Sequence, residues 1–167
     1  LRLISMAEAG GLRLYKQKTN INTLTQKILD DFKIAMQKKN IKLETKISTT
    51  PISISIDPIR IEQVFNNIIS NALRYVAKND SILIQINEKL KNVEIIIKDS
   101  GPGIEQNKQQ YIFDRFYRID KSRSRQQGGS GLGLSIAKEL VQAHLGTISL
   151  KSDVGKGTTF TISIPKA

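Results

Sequence analysis

Gly128-Gly129-Ser130-Gly131-Leu132-Gly133-Leu134-Ser135-Ile136 is a glycine cluster that runs straight into an amphipathic helix. Such a junction offers free backbone N–H groups, the positive end of a helix dipole, and no side chain to block a phosphate. Alone it is a weak signal, because a plain turn looks the same. Two upstream stretches change its reading. Asn67 and Asn71 are four residues apart, so they share a helix face. Asp99-Ser100-Gly101-Pro102-Gly103-Ile104 ends an apolar strand with an acid and a tight turn. In this order the three stretches are the parts a nucleotide site needs.

The elements around them follow from periodicity. Apolar residues at Leu24, Ile28, Leu29, Phe32, Ala35 and Met36 recur at helical spacing, with Asn20 or Asn22 as cap and Asn40 closing the helix. Ile41–Ile47 alternates as a half-buried strand, Pro51 interrupts, and Ile52, Ile54 and Ile56 alternate with serines in a second strand. Asp57-Pro58 is an N-cap with proline at the first helical position. The helix it opens runs to about Val76, with a core stripe of Ile61, Val64, Phe65, Ile68, Ile69, Ala72 and Leu73. Ser81–Asn87 and Val93–Asp99 are strands. Leu134–His144 is a helix, with Ile136, Ala137, Leu140 and Val141 turned inward. Thr147–Lys151 and Thr158–Ile164 close the chain as a hairpin. The expected fold is α+β: a two-layer α/β sandwich with a mixed, largely antiparallel sheet covered by helices on one face.

Composition narrows the chemistry. The 167 residues suit one domain with a real core, and 39% hydrophobic with 25% charged content is ordinary for a soluble fold. There is no cysteine, which removes disulfides, thiolate metal sites and Cys nucleophiles and fits a cytoplasmic setting. The single histidine, His144, rules against a His-rich metal site or a Ser-His-Asp triad. No apolar run approaches a membrane span, so no membrane contact is expected of this stretch. The net charge of +11 is spread along the chain, with no aromatic-and-basic ladder, so no specific nucleic-acid partner is expected.

Each candidate residue has a chemical reason. The carbonyls of Asn67 and Asn71 suit Mg²⁺, a hard ion that takes oxygen ligands and usually keeps waters and substrate phosphates. Arg74 lies near their line, with Gln63, and would add charge beside phosphates. Asp99 can accept a hydrogen bond from the exocyclic amine of adenine, and Gly101 and Gly103 allow close approach of a flat base. Ile104–Gln127 is a long connection with a basic and aromatic island: Arg115, Arg118, Lys121, Arg123 and Arg125, with Phe113, Phe116 and Tyr117 between. As a lid it would bring cations to phosphates while its aromatics pin it down. No Walker A sequence, Rossmann fingerprint or protein-kinase HRD and DFG set is present.

These stretches resemble the boxes of bacterial sensor histidine kinases. Asn67–Tyr75 (NIISNALRY) looks like the N box, Asp99–Ile104 (DSGPGI) the G1 box, Ile112–Arg118 (IFDRFYR) the F box and Gly128–Ile136 (GGSGLGLSI) the G2 box. Gly155–Pro165 matches the family's last hairpin, so the similarity covers Ile41 to Pro165 with the motifs in family order. The resemblance implies the Bergerat ATP-binding fold and a protein-histidine kinase of a two-component system, with ATP and Mg²⁺ as cofactors. It places Asn67 and Asn71 at Mg²⁺ and Asp99 at adenine. It places Arg74, Tyr75, Gly101, Gly103, Ile104 and Arg118 near the nucleotide, and Gly129, Gly131, Leu132 and Gly133 in the phosphate lid.

The related gyrase and mismatch-repair ATPases carry Glu where this chain has Asn67, and an amide cannot take a proton from water. Transfer to another group is therefore expected over hydrolysis. Leu145 stands where the family usually has the first glycine of His-Gly-Gly. In the family the acceptor histidine sits on a dimeric helical hairpin before this domain. Residues 1–11 resemble the end of that hairpin's second helix, with the catalytic domain at 12–167. The implied partners are that hairpin, in a homodimeric parent, and the receiver domain of a response regulator.

Overall fold

The computed structural model describes residues 12–119 and 130–166. The expected hairpin end at 1–11 therefore lies outside the described residues, as do Gly128, Gly129, Lys121, Arg123 and Arg125. The chain runs β1 (Gln17–Asn20), α1 (Ile21–Lys38), β2 (Lys42–Lys46), β3 (Ser53–Ile56), α2 (Pro58–Tyr75), β4 (Ser81–Glu88) and β5 (Asn92–Asp99). It continues through α3 (Gln106–Gln109), α4 (Gly133–Ala143), β6 (Thr147–Asp153) and β7 (Gly157–Pro165). Five strands form one sheet in the order β2-β4-β5-β7-β6, and β1 pairs with β3 in a separate two-stranded ribbon. Only β2–β4 is parallel in the large sheet; the other pairings are antiparallel. The expected mixed, largely antiparallel sheet is what the chain builds.

Alternation along the central strands decides which face the helices cover. Ile82, Ile84 and Ile86 of β4, Val93, Ile95 and Ile97 of β5, and Phe160, Ile162 and Ile164 of β7 are buried. Their neighbours Gln85, Asn87, Glu94, Thr161 and Ser163 remain half-exposed on the other face. The buried face meets α2 through Ile61, Val64, Phe65, Ile68 and Ile69, and α4 through Ala137, Leu140 and Val141. Isoleucine suits both sides of this contact: its branched side chain fits a pleated sheet and still fills a helix stripe.

The caps set the helix starts. Asp57 Oδ1 accepts from Ile59 N–H (3.1 Å) and Arg60 N–H (3.2 Å), with Pro58 behind it. Asn20, rather than Asn22, caps α1, accepting from Asn22 N–H and Thr23 N–H. Asn22 is buried instead, donating its amide to the Ser48 and Thr50 carbonyls at 2.8 Å each.

Two expectations need correction, and one strand was not expected. The alternating Ile41–Ile47 run is not half-buried: β2 is an edge strand exposed along its whole length, with only Ile41 just before it buried. The strand β1 was not legible, because four residues of QKTN carry no apolar alternation. On α4 the buried stripe is shifted, so that Ser135 is buried while Ile136 is only partly covered. The Ser135 hydroxyl tolerates this because it donates to Leu132 O at 2.9 Å.

Candidate functional site

A cleft of about 570 Å³ opens between α2, the turn after β5, the segment around α3 and the start of α4. It collects most of the residues singled out in the sequence. Asn67, Asn71, Arg74 and Tyr75 line it from α2. Asp99, Gly103 and Ile104 line it from the G1 turn, Arg118 from the aromatic segment, and Gly131 and Gly133 from the start of α4. Gly101 and Leu132 stand behind this lining rather than in it. Gly101 N–H donates to Asp99 Oδ1 at 2.9 Å, and Leu132 is the residue before the first turn of α4, its carbonyl accepting from Ile136 N–H. Gln63, near the Asn line in sequence, accepts from Arg60 and does not reach the cleft.

Asp99 is buried at the bottom of the cleft wall, 7% exposed. Its Oδ1 accepts from Gly101 N–H and, at 3.3 Å, from Thr158 N–H. Among the described residues no donor reaches Oδ2. Burial pushes the carboxyl above its ordinary value of 3.8; the two backbone bonds pull the other way, and nearby Asp80 adds to the push. The result is a fixed acceptor in a partly dry site, which is what selective recognition of an amine requires.

The glycines around Asp99 are needed for the chain's own packing. Gly103 has φ +72°, and a Cβ there would lie 2.0 Å from Asp153 O. At Gly157 a Cβ would lie 1.9 Å from Asp99 O. The β6–β7 hairpin is thus pressed against the G1 turn from both sides, and Gly155 N–H donates to Pro102 O at 2.8 Å. Gly103 thus packs against the hairpin on the side a Cβ would take, while still lining the cleft.

At the other end, the Asn67 side chain packs against the start of α4. Its Nδ2 is buried with no partner. Amide nitrogen and oxygen are interchangeable in such a side chain, so either end can face a ligand. Arg118 follows a well-anchored segment. Ile112 is buried, Phe113 meets Phe160 edge-on at 6.2 Å, and Tyr111 and Tyr117 lie 5.6 Å apart. The expected pinning by aromatics holds for Phe113 and Tyr117. Phe116 differs: its ring is 60% exposed, and it acts through backbone, donating its N–H to Gly131 O at 3.0 Å. Arg115 does not join the phosphate end; it pairs with Glu139 of α4 at 3.7 Å.

Some lining residues were missed. Glu105 and Lys108, ion-paired at 2.7 Å, sit on the cleft wall, and Val154 and Thr158 reach it from the hairpin. Thr158 was findable only through strand pairing, since it is the register partner of Asp99.

His144 is buried far from this chemistry. Its Nε2 accepts from Asp57 N–H at 3.1 Å and its Nδ1 donates to Leu140 O at 2.7 Å. Burial lowers its pKa below 6.5, and Lys16 adds to this, against the Leu140 bond and Asp57. It ties the end of α4 to the cap of α2.

A sheet with helices on one face, an Asn-bearing helix and a buried Asp in a glycine turn define a class of ATP-binding domain. Residues 56–167 match the family of histidine kinase-, DNA gyrase B- and HSP90-like ATPases, and the chain belongs to that family. Its similarity falls with the histidine kinases. The signal transduction histidine-protein kinase ArlS of Staphylococcus aureus is 46% identical over 121 residues, 72% of this chain and 27% of ArlS. The chain therefore spans about a quarter of the length of the curated relatives it matches. The catalytic domain of histidine kinase ThkA superposes with a TM-score of 0.82 at 26% identity, covering 92% of this chain and 97% of that one. Another ThkA structure holds it in complex with the response regulator protein TrrA (TM-score 0.79, 24% identity, 99% and 47% covered). Full-length ShkA in complex with AMPPNP shares the fold at a TM-score of 0.87 and 23% identity, covering 99% of this chain and 34% of that one. Among the described residues no helix is long and apolar enough to cross a membrane.

Proposed function

We propose that this chain binds Mg²⁺-ATP in the cleft and transfers the γ-phosphoryl group to a histidine on a helical hairpin of a longer, dimeric kinase. The phosphoryl group is then relayed to an aspartate of a response regulator. The carrying observation is the make-up of the cleft. An amine-reading carboxylate, Asp99, stands at one end and two amides, Asn67 and Asn71, at the other. The acidic side chains lining it among the described residues are Asp99 and Glu105. Asp99 is held by backbone donors and Glu105 by Lys108, and both belong to the adenine side. Neither is placed on α2 beside Asn67 to orient a water, so transfer to an external acceptor is favoured over hydrolysis.

The metal fits the donor set. Asn67 and Asn71 would hold Mg²⁺ through their carbonyl oxygens, and the buried Asn67 Nδ2 has no partner among the described residues. Among the described residues no group of three or more His, Cys, Asp or Glu forms a cage. Such an ion would complete its shell with phosphate oxygens and water, as Mg²⁺ does. When bound it would supply charge neutralisation at the transferring phosphoryl group. The chain's own part is to orient: Asp99 fixes the base, Arg74 and Arg118 supply positive charge, and the N–H groups at the start of α4 face the phosphates.

The acceptor lies elsewhere because His144, the chain's one histidine, is 3% exposed with both ring nitrogens engaged. The test is labelling with γ-³²P-ATP, with and without the parent's helical hairpin added in trans. Label is expected on the hairpin histidine only, weakly because the tether is lost. Label on His144, or turnover without a hairpin at the rate of a dedicated ATPase, would overturn the assignment.

A further inference from the structure

We propose that Gln109 and Ser152, neither of which lines the cleft, are positioning residues that brace its adenine end; this rests on the nucleotide reading above. Gln109 uses both amide hydrogens on carbonyls, Ile104 O and Ser152 O, each at 2.8 Å. It belongs to α3, a helix of four residues without a side-chain cap, which is too short to hold its own place. The amide therefore staples α3 to the G1 turn and to the end of β6 together.

Ser152 carries the tie onward. Its Oγ accepts from Ile104 N–H at 2.8 Å, donates to Gly157 O at 2.9 Å and lies 3.0 Å from Thr158 Oγ1. One hydroxyl has one hydrogen, so with Gly157 O taking it, the Thr158 hydroxyl must donate to Ser152. Every hydrogen-bonding position of the Ser152 hydroxyl is then in use. Thr158 N–H in turn holds Asp99 Oδ1. A continuous chain of bonds thus runs from Gln109 through Ser152 and Thr158 to Asp99. Two of its stations, Ile104 and Thr158, face the cleft, while the two side chains that fix them stand behind it.

The chemistry predicts a selective defect. Loosening the brace leaves Asn67, Asn71 and Arg118 in place but lets the Asp99 carboxylate wander. Affinity for ATP and ADP should then fall alike, and the preference for ATP over GTP should narrow. The acidic limb of ATP binding should move to higher pH, because a bond favouring ionised Asp99 is weakened.

The experiment is calorimetric titration of the full chain with ATP, ADP and GTP between pH 5 and pH 8, alongside thermal melts. The variants are Gln109→Leu, which keeps the volume without the donors, Ser152→Ala, and Ser152→Thr, which keeps the hydroxyl. Gln110→Ala is the control, an exposed neighbour whose side chain donates to Asn107 O. Expected is a loss of about 3- to 30-fold in ATP and ADP affinity for Gln109→Leu and Ser152→Ala. Recovery is expected in Ser152→Thr, and no change in Gln110→Ala. If Gln109→Leu does not fold, Ser152→Ala decides. Wild-type affinity and an unmoved acidic limb in the folded variants, even with a lowered melting temperature, would overturn the brace. Absence of ATP binding by the unsubstituted chain would instead overturn the nucleotide reading, and is seen before any variant is compared.

Discussion

The two ends of the cleft are built on different principles. At the G1 end, Asp99 is gripped by Gly101 and Thr158, the hairpin is pressed against the turn, and the hydroxyl of Ser152 has no bonding position left over. At the other end, α2 presents Asn67 with a buried amide nitrogen that has no partner. One end is largely held by the protein's own bonds, with Asp99 Oδ2 left open; at the other the Asn67 amide nitrogen finds no partner among the described residues. On the proposed reading, such a site would recognise its base with little reorganisation and complete its phosphate end only with the ligand, so affinity and chemistry would be separable.

The sharpest way to break that contrast is Asn71→Ala. Removing a group from the phosphate end should reduce hairpin labelling by about 100-fold or more, the usual scale for losing electrostatic stabilisation of a transition state. ATP affinity measured with the metal chelated should stay within about 3-fold, since hydrogen bonds to the base are untouched. An equal loss in both measurements would mean that Asn71 holds the nucleotide generally and that the two ends are not distinct.

Asp99→Asn tests the finished end. A hydrogen bond to a charged group contributes about 1.5–3 kcal/mol, so affinity should fall about 10- to 150-fold. ATP and ADP should lose equally, because the γ-phosphate is at the far end. Wild-type affinity in a folded Asp99→Asn chain would remove the adenine assignment.

Acid should act on His144, at the C-terminal end of α4, and on Asp99, at the end of β5, with opposite signs for the fold. The pKa of His144 is lower in the fold than the 6.5 it has when free, so protons favour the unfolded chain. The stability it contributes is present above 6.5 and is lost as pH falls below that value. Protonation would also set an N–H against Asp57 N–H. The pKa of Asp99 is raised, so its effect has the opposite sign for the fold: protonation stabilises the apo chain relative to its unfolded state. If Asp99 reads adenine as proposed, the same protonation removes its acceptor, so ATP binding should weaken on descent towards 3.8, beginning above it. Chemical denaturation between pH 7 and pH 5, with His144→Gln as reference, checks the first effect. A reference variant with the same pH slope as wild type would exclude His144 as its source.

Legibility in the sequence followed from where the physics is local. The Asp57-Pro58 cap and the Asn67–Asn71 spacing act within one turn of chain; the cap opens α2, and both asparagines line one cleft. The brace was not readable, because Ser152 meets Thr158 only when β6 pairs with β7, and Thr158 meets Asp99 only when β7 pairs with β5. The same holds for β1, which is a strand only because β3 offers it an edge. The exposure of β2 also depends on sheet order: its alternation is real, but its place at the edge leaves no second neighbour to bury it. Arg115 was grouped with the lid cations by composition, and only the structure shows Glu139 as its partner.

The smallest effect lies at the C-terminal end of α4, away from the cleft. Leu145 follows His144 with φ 60° and is 76% exposed. It sits in the left-handed region, which strains a residue with a Cβ by about 1–2 kcal/mol, and it gains little burial in return. Leu145→Gly should relieve that strain, offset by the greater freedom of glycine in the unfolded chain, for a net gain of about 0.5–1 kcal/mol. The fold would then melt at a higher temperature while ATP affinity stays unchanged, since the α4 residues that line the cleft lie at its opposite end. Loss of stability would mean that the Leu145 side chain is held by contacts worth more than its backbone strain. A change in ATP affinity would show that the two ends of α4 are coupled through the helix, and the separation of recognition from scaffold would fail at that point.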